Sequence, residues 1–220
     1  MKGYKILFPV ETAARELVYK LVLSARFAEI GYECYLGSKD EMNQLLKYIK
    51  PVAYFDKGYH AKVSEGIYDA IKRYSGIIIN LDEEGGVDFK DSSTISARYP
   101  DKVFQICDLI FLWGNNQYNF LNTIGRHFIE GKVVVSGHPR FELLKQSFHG
   151  LYENERKAIG DRFKRFILIN TNMGFGNNIW GDSFVRENYG ARIKNIDSII
   201  DFDKIKIECY VSFIKKLSPL

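Results

Sequence analysis

The sequence predicts an α/β protein with a Rossmann-like, doubly wound parallel sheet, followed by the beginning of a second α/β domain. Short apolar runs alternate with longer segments of helical periodicity from residue 4 to about residue 149. The runs are continuously apolar, which is typical of parallel strands that helices cover on both faces. A further strand-like run ends in a Gly- and Asn-rich loop beyond residue 165, and it predicts the start of the second domain.

Six strands and, between them, five helices are predicted in the first 149 residues, and residues 141–145 are expected to form an exit helix after the last strand. The strands are expected at residues 4–10, 33–36, 52–55, 77–81, 109–113 and 132–135, and the helices at 13–30, 39–49, 63–74, 100–107 and 117–129. In the first helix Leu17, Leu21, Ala25 and Ala28 lie on one stripe, which we interpret as its apolar face. Gly31 follows the helix as a C-cap.

Residues 1–149 are therefore interpreted as an N-terminal Rossmann-like domain. Residues 150–165 are charged and lack a strong apolar stripe, which indicates an interdomain linker that is helical in part. Residues 166–171 are expected to form the first strand of a partial C-terminal domain, 166–220, in which residues 202–217 have roughly helical spacing. The residues that remain are too few for a second complete domain of the same kind, so the chain is expected to be truncated there.

Charge and composition exclude several classes of protein. The net charge of +4 is modest and the basic residues are mixed with acids, so no nucleic-acid-binding face is expected. The three cysteines are far apart and without CxxC spacing, which argues against a zinc site or a disulfide. No signal peptide or membrane span is recognisable, and we expect a cytoplasmic location.

Ligands of an open parallel sheet bind beyond the carboxyl ends of its strands. The residues that follow each predicted strand are therefore the candidates for a site. They are Glu11 and Arg15 after the first strand, Lys57 and His60 after the third, Asp82, Glu83, Glu84 and Gly85 after the fourth, Gly114 after the fifth, and Gly137, His138 and Arg140 after the sixth.

Three adjacent carboxylates, Asp82, Glu83 and Glu84, are the sharpest feature of this rim. Mutual repulsion could raise the pKa of one of them into a range suited to general acid or base catalysis. Gly85 would let a ligand approach the backbone closely. A solvated acidic turn is the alternative interpretation, and the spacing matches no specific metal-binding motif, so no metal is expected.

Two glycine-containing turns are further candidates. In the turn at Gly137, Pro139 suits the first position of a helix. The free amides of that helix start, together with the side chain of Arg140, would attract an anion. A purely structural turn is the alternative. The loop that contains Gly174 lacks the third glycine of a dinucleotide fingerprint, so no nicotinamide cofactor is expected. Asn172, Gly174 and Asn177 could instead contact a sugar or a phosphate, or belong to an ordinary loop.

Five separate blocks of sequence carry a resemblance to a known family. They are KILFPVETAARE (5–16), DKGYH (56–60), NLDEEG (80–85), VSGHPRFE (135–142) and NTNMGFGNN (170–178). They resemble bacterial surface carbohydrate biosynthesis proteins, the glycosyltransferase-like proteins of capsule and lipopolysaccharide loci. The GHPRFE block is also similar to the Gly-x-Pro-Arg-x-Asp block of teichoic acid glycerophosphotransferases.

The resemblance implies the GT-B architecture, in which two Rossmann-like domains face a cleft. It implies a nucleotide sugar and a glycan acceptor as ligands, with the acceptor on the N-terminal domain. No cofactor is expected. Association with the inner face of the cytoplasmic membrane would be compatible with this role. An inverting transfer would use Glu84 or Asp82 as the base, with His60 as the rival, while Arg140 and Lys57 offset the charge of the leaving phosphate.

Two alternatives to a complete enzyme are consistent with the same residues. The chain could be a non-catalytic, acceptor-binding half or a split-gene subunit, with a second chain completing the C-terminal domain. It could also be a nucleotide-sugar epimerase of the same two-domain architecture, because fold does not fix function.

Overall fold

A computed structural model describes residues 5–50, 52–84, 86, 93–126 and 131–217. The chain divides into two compact units, unit 1 at Met1–Arg156 and unit 2 at Lys157–Leu220.

Unit 1 is an α/β unit around one parallel sheet, as the sequence predicts. Its strands are β1 (Lys5–Val10), β2 (Glu33–Ser38), β3 (Val52–Asp56), β4 (Ile77–Leu81), β5 (Leu109–Leu112) and β6 (Val133–Val135). Their order in the sheet is β2-β1-β3-β4-β5-β6, and every neighbouring pair is parallel. The sheet therefore extends in both directions from β1, which is the doubly wound arrangement.

The helices of unit 1 follow the strands in the predicted alternation. They are α1 (Ala13–Glu29), α2 (Lys39–Leu45), α3 (Ser64–Lys72), α4 (Ser93–Arg98), α5 (Asp101–Ile106), α6 (Asn115–Thr123) and α7 (Pro139–Glu142). The sequence did not predict α4. Part of the predicted helix at 117–129 lies outside the described residues.

The sheet is buried on both faces, which explains its continuously apolar strands. On one face Leu7, Tyr54 and Ile78 belong to the larger core cluster, which includes residues of α2, α3, α5 and α6. On the other face Phe8 and Phe55 belong to a smaller cluster, against which Leu23 and Phe27 of α1 pack.

The predicted apolar face of α1 is wrong. Leu17 and Leu21 are 37% and 49% exposed, whereas Glu16, Tyr19, Lys20 and Ser24 are buried. The reason is that the start of α1 packs by hydrogen bonds rather than by apolar contact. The carboxylate of Glu16 accepts hydrogen bonds from the backbone amides of Glu11 and Thr12, at 3.0 and 3.3 Å, and from the ammonium group of Lys20, at 2.9 Å. A charge that is paired in this way can be buried.

The predicted linker at 150–165 is helical over most of its length. A 3₁₀-helix covers Gln146–Tyr152, and α8, at Glu153–Phe163, follows it directly. No residue of α8 is buried, which accounts for the absence of an apolar stripe in its sequence.

Unit 2 contains no strand among its described residues, so the strand predicted at 166–171 is not formed. After α8 the chain is irregular up to residue 173, and α9 (Gly181–Tyr189) and α10 (Ile196–Leu217) follow. Val185, Ile196 and Ile200 form the small core of this unit. An isolated strand has no partner for its backbone hydrogen bonds, and the described part of unit 2 offers only helices. Phe166, Ile167 and Leu168 are consequently 56%, 76% and 73% exposed.

Candidate functional site

An open cleft of about 420 Å³ lies in unit 1 beside the carboxyl ends of β4 and β5. Its lining residues combine arginines, carboxylates and aromatic rings: Arg15, Glu83, Glu84, Gly86, Trp113, Arg140 and Phe141. Four of the predicted site residues, Arg15, Glu83, Glu84 and Arg140, are therefore brought together at the edge of the sheet where ligands of such folds bind.

Four hydrogen bonds hold the loop after β4 at the base of this cleft. The amide of Glu83 donates to the carbonyl oxygen of Lys57 at 2.9 Å, and the indole Nε1 of Trp113 donates to the carbonyl oxygen of Asp82 at 2.6 Å. Arg140 donates to the carbonyl oxygen of Glu83 at 3.3 Å, and the amide of Glu84 donates to Oδ1 of Asp82 at 3.2 Å. Contacts from the residues after β3 and β5 and from α7 thus hold the backbone that carries the three carboxylates.

Glu83 is buried, and positive or hydrogen-donating groups surround it. Tyr19 donates a hydrogen bond to its carboxylate, the ammonium group of Lys20 is 3.4 Å away, and Nε2 of His138 is 3.3 Å away. Burial by itself would raise the pKa of Glu83, but His138, Tyr19 and Lys20 outweigh it, so the pKa is lowered. Glu83 is therefore an ionised group inside the protein that anchors the loop.

Asp82 behaves in the opposite way. Burial is the main cause that raises the pKa of Asp82, while Arg98, which donates to its Oδ2 at 3.2 Å, opposes the shift. Repulsion by Glu84 adds only a small contribution in the same direction as burial. A carboxylate with a raised pKa is thus present, but desolvation rather than mutual repulsion is its main cause.

Glu84 is the most accessible of the three carboxylates, with a side chain that is 52% exposed. Arg98 donates to its Oε2 at 2.6 Å, and Arg15 reaches its Oε1 at 3.5 Å. It lines the cleft, whereas Asp82 does not. Of the acidic loop, Glu84 is the carboxylate that a ligand can reach most readily.

Aromatic rings form one wall of the cleft. The ring of Trp113 lies 4.6 Å from the ring of His138 and 5.5 Å from that of Phe141, measured between centroids. The guanidinium carbon of Arg140 is 5.6 Å from the centroids of both Trp113 and Phe141. Gly86 lies against the indole, and a Cβ atom there would be 2.4 Å from it. The close packing at Gly86 is against a side chain, and the ligand approach expected at Gly85 remains a prediction.

His138 is buried between this wall and α1. Its Nδ1 accepts a hydrogen bond from the backbone amide of Arg140 at 3.1 Å, so in the neutral ring the proton is on Nε2, which faces Glu83. The side chain of His138 is the N-cap of α7, and α7 has only four residues. The sequence predicted that free amides at the start of this helix would attract an anion. The amide of Arg140 instead donates its hydrogen bond to His138.

The other described residues of unit 1 that were predicted for the site do not line the cleft. Lys57 forms an ion pair with Glu11, and burial lowers the pKa of Lys57. His60 is exposed after β3 and does not line the cleft. Gly137 has a φ of +77°, a conformation that favours glycine, and it starts the turn into α7. Gly114 precedes α6 as its N-cap, and Gly85 lies outside the described residues.

The Gly- and Asn-rich loop of unit 2 belongs to a different cavity, of about 490 Å³, which Asn172 and Gly174 help to line. Asn177 is not part of that lining; its amide donates to the carbonyl oxygen of Met173. The carboxylate of Asp203 accepts hydrogen bonds from the backbone amides of Phe175 and Gly176, at 3.1 and 3.3 Å. Two amides that could have bound a phosphate are therefore bound to a carboxylate of α10.

Several residues that line the cleft or contact its carboxylates were not predicted. Tyr19 and Lys20 lie within α1, and Arg98 lies at the end of α4, far from any predicted strand end. The Glu16–Lys20 spacing was the one available signal, but an i,i+4 pair ordinarily lies in solvent. Phe141 was visible in the sequence next to Arg140, although nothing there indicated its contact with Trp113.

Among the described residues, no group of three or more His, Cys, Asp or Glu side chains is arranged to hold a metal ion. The same residues include no helix that is long and apolar enough to cross a membrane. The three cysteines, Cys34, Cys107 and Cys209, are free thiols.

Comparisons with protein-family models, with curated proteins and with solved structures gave no match for this chain. The defining feature of the site is a half-exposed carboxylate beside two arginines and an aromatic wall, at the carboxyl edge of a doubly wound sheet.

Proposed function

We propose that the protein is a glycosyltransferase-like protein of bacterial surface polysaccharide biosynthesis, which transfers a sugar from a nucleotide donor to a glycan hydroxyl. The observation that carries the proposal is the cleft of unit 1, where Glu84 is accessible beside Trp113 and Phe141. The apolar face of a sugar ring can pack on such aromatic rings. The arginines of the cleft can bind anionic groups by charge-assisted hydrogen bonds. The resemblance of five sequence blocks to surface carbohydrate biosynthesis proteins supports the same function.

In the proposed reaction Glu84 is the general base. It takes the proton of the acceptor hydroxyl while that oxygen forms a bond to the anomeric carbon of the donor sugar. The bond from this carbon to the diphosphate breaks, and its electron pair leaves with the nucleotide. Asp82 is a positioning residue, because it binds Arg98 and the amide of Glu84. His60 has no part in the step, because it does not line the cleft.

A second candidate is a non-catalytic subunit that binds the acceptor and receives the donor site from another chain. The structure of unit 2 favours this candidate in one respect. Its described residues contain no sheet, and Asp203 already binds two amides of its Gly-containing loop. In either form, the proposed place of action is the cytoplasmic side of the membrane, where surface glycans would meet nucleotide sugars.

Calorimetric titration with a panel of nucleotide sugars, followed by transfer assays, tests the proposal. We expect one donor to bind with micromolar affinity, and Glu84→Gln to lower transfer by about 100-fold or more while donor affinity changes little. Glu142→Gln is the matched control, because Glu142 is an exposed carboxylate of α7 that pairs with Lys145. Unchanged transfer in Glu84→Gln would overturn the role of Glu84. Binding of a glycan without any donor would favour the second candidate.

A further inference from the structure

The positively charged side chains around the cleft differ in how closely neighbouring carboxylates pair with them. Lys57 pairs with Glu11, and Lys20 pairs with Glu16 at 2.9 Å. Arg98 is 2.6 Å from Glu84 and 3.2 Å from Asp82. In contrast, the nearest carboxylate oxygen to Arg140 within the described part of the chain belongs to Glu83 and is 3.9 Å away.

Arg140 therefore keeps unused bonding capacity at the cleft. A guanidinium has five N–H donors, and in the described structure the side chain of Arg140 donates one hydrogen bond, to the carbonyl oxygen of Glu83. Three groups lie closer to the carboxylate of Glu83 than Arg140 does, namely Tyr19, His138 and the charged Lys20. The side chain of Arg140 is 26% exposed, so a ligand can reach it.

Arg15 lines the same cleft and is also incompletely paired. Its NH2 group is 3.0 Å from Glu16, but its contact with Glu84 is longer, at 3.5 Å. Its Nε atom is buried and has no hydrogen-bond partner among the described residues. Because that Nε atom is buried, an oxyanion in the cleft would bind the terminal NH groups of Arg15, whose side chain is 30% exposed, together with Arg140.

We infer that the cleft selects an acidic saccharide, whose ring packs on Trp113 while its carboxylate or phosphate group binds Arg140 and Arg15. The inference rests on the proposed function, in which unit 1 holds the acceptor, and it names the class of that acceptor. Arginine suits this task because its planar guanidinium binds a carboxylate or a phosphate in bidentate fashion. Trp113 and Phe141 supply the apolar surface for the ring beside the charged group.

The test measures binding by the fluorescence of Trp113. The chain has two tryptophans, so Trp180→Phe leaves Trp113 as the single reporter. Three sugars of one size serve as probes: glucuronate, glucose 6-phosphate and neutral glucose. We expect at least one acidic sugar to bind ten-fold or more tightly than glucose, and this preference to weaken as salt is added. The comparison of glucuronate with glucose 6-phosphate shows which oxyanion the cleft accepts.

Arg140→Gln in the same background should abolish the preference for acidic sugars. Arg26→Gln is the matched control, because Arg26 is a 71% exposed arginine of α1 that pairs with Glu29; the preference should survive there. Circular dichroism checks that both variants fold. Equal affinities for the three sugars, no binding of either acidic sugar, or a preference that survives in Arg140→Gln would each overturn the inference.

These measurements need neither a donor nor transfer, so they separate the two proposals. An acidic preference without transfer activity would overturn the proposed enzyme and leave the inference standing. Transfer to neutral acceptors with no acidic preference would do the reverse.

Discussion

The most informative single residue is Glu83, a buried carboxylate that stays ionised. Its two neighbours, Asp82 and Glu84, are exposed to different degrees, although the three are adjacent in sequence. The reason is that Glu83 faces Tyr19, Lys20 and His138, while Asp82 faces Arg98 in a desolvated site. The three adjacent carboxylates thus lie in three different electrostatic environments.

The lowered pKa of Glu83 predicts a specific loss of stability in acid. Because the folded pKa lies below the unfolded value of about 4.3, the unfolded state binds more protons as the pH falls through this window. The contribution of Glu83 is present above the unfolded pKa and is lost as pH falls through the folded pKa. Denaturation curves from pH 6 to pH 3 should therefore show a smaller loss of stability in Glu83→Gln than in the wild type. Identical slopes in the two proteins would contradict the assignment, and Glu142→Gln should follow the wild type.

At this scale the sequence predicted the cleft residues that follow strands, but not their pairing. Arg15, Glu84 and Arg140 could be found because parallel strands end at one edge. Tyr19 and Arg98 could not, since each depends on how a helix lies against the sheet. The occupied amide of Arg140 was equally hidden, because it depends on the side-chain rotamer of His138.

Among the elements, α1 combines an apolar exposed stripe with a polar buried end. Periodicity predicts which residues share a helix face, but not which face is buried when a buried ion-pair network competes with apolar contact. Lys20 is completely buried and contacts Glu16, Glu83 and the carbonyl oxygen of Pro9. The strands of unit 1 were predicted to within about two residues, because continuous apolar runs that alternate with helical segments are typical of a parallel sheet buried on both faces.

The network under α1 predicts a large effect of removing Lys20. Lys20→Met leaves Glu16 and Glu83 without their shared cation, and breaking a buried pair in this way costs about 3–5 kcal/mol. Urea denaturation should show this loss. The double variant Lys20→Met/Glu16→Gln should recover part of it, because one uncompensated charge is removed. Arg26→Gln, which breaks an exposed pair with Glu29, should change stability by less than about 1 kcal/mol. A small effect of Lys20→Met would show that the buried network contributes little.

For the molecule as a whole, the two units differ in how much the sequence predicted. Unit 1 follows the alternation of strands and helices, so its sheet was predictable. In unit 2 the run at 166–171 has the composition of a strand, but composition does not supply a neighbouring strand to pair with. The described part of unit 2 instead has a small helical core around Val185, Ile196 and Ile200. Strand formation depends on pairing with other strands, which the sequence of a short segment alone does not predict.

The exposed run in unit 2 leads to a prediction that is unusual for apolar residues. Because Ile167 and Leu168 are 76% and 73% exposed, replacing both by Asp should change the free energy of unfolding by no more than about 0.5 kcal/mol per site. Val185→Asp and Ile200→Asp are the matched controls in the same unit, because both side chains are fully buried and an unpaired buried charge is costly. Thermal and urea denaturation of the variants, at several protein concentrations, make the comparison. A concentration-dependent loss of stability in Ile167→Asp/Leu168→Asp would mean that a second chain covers this run, as the subunit candidate requires. A loss independent of concentration would mean that the run is packed within its own chain.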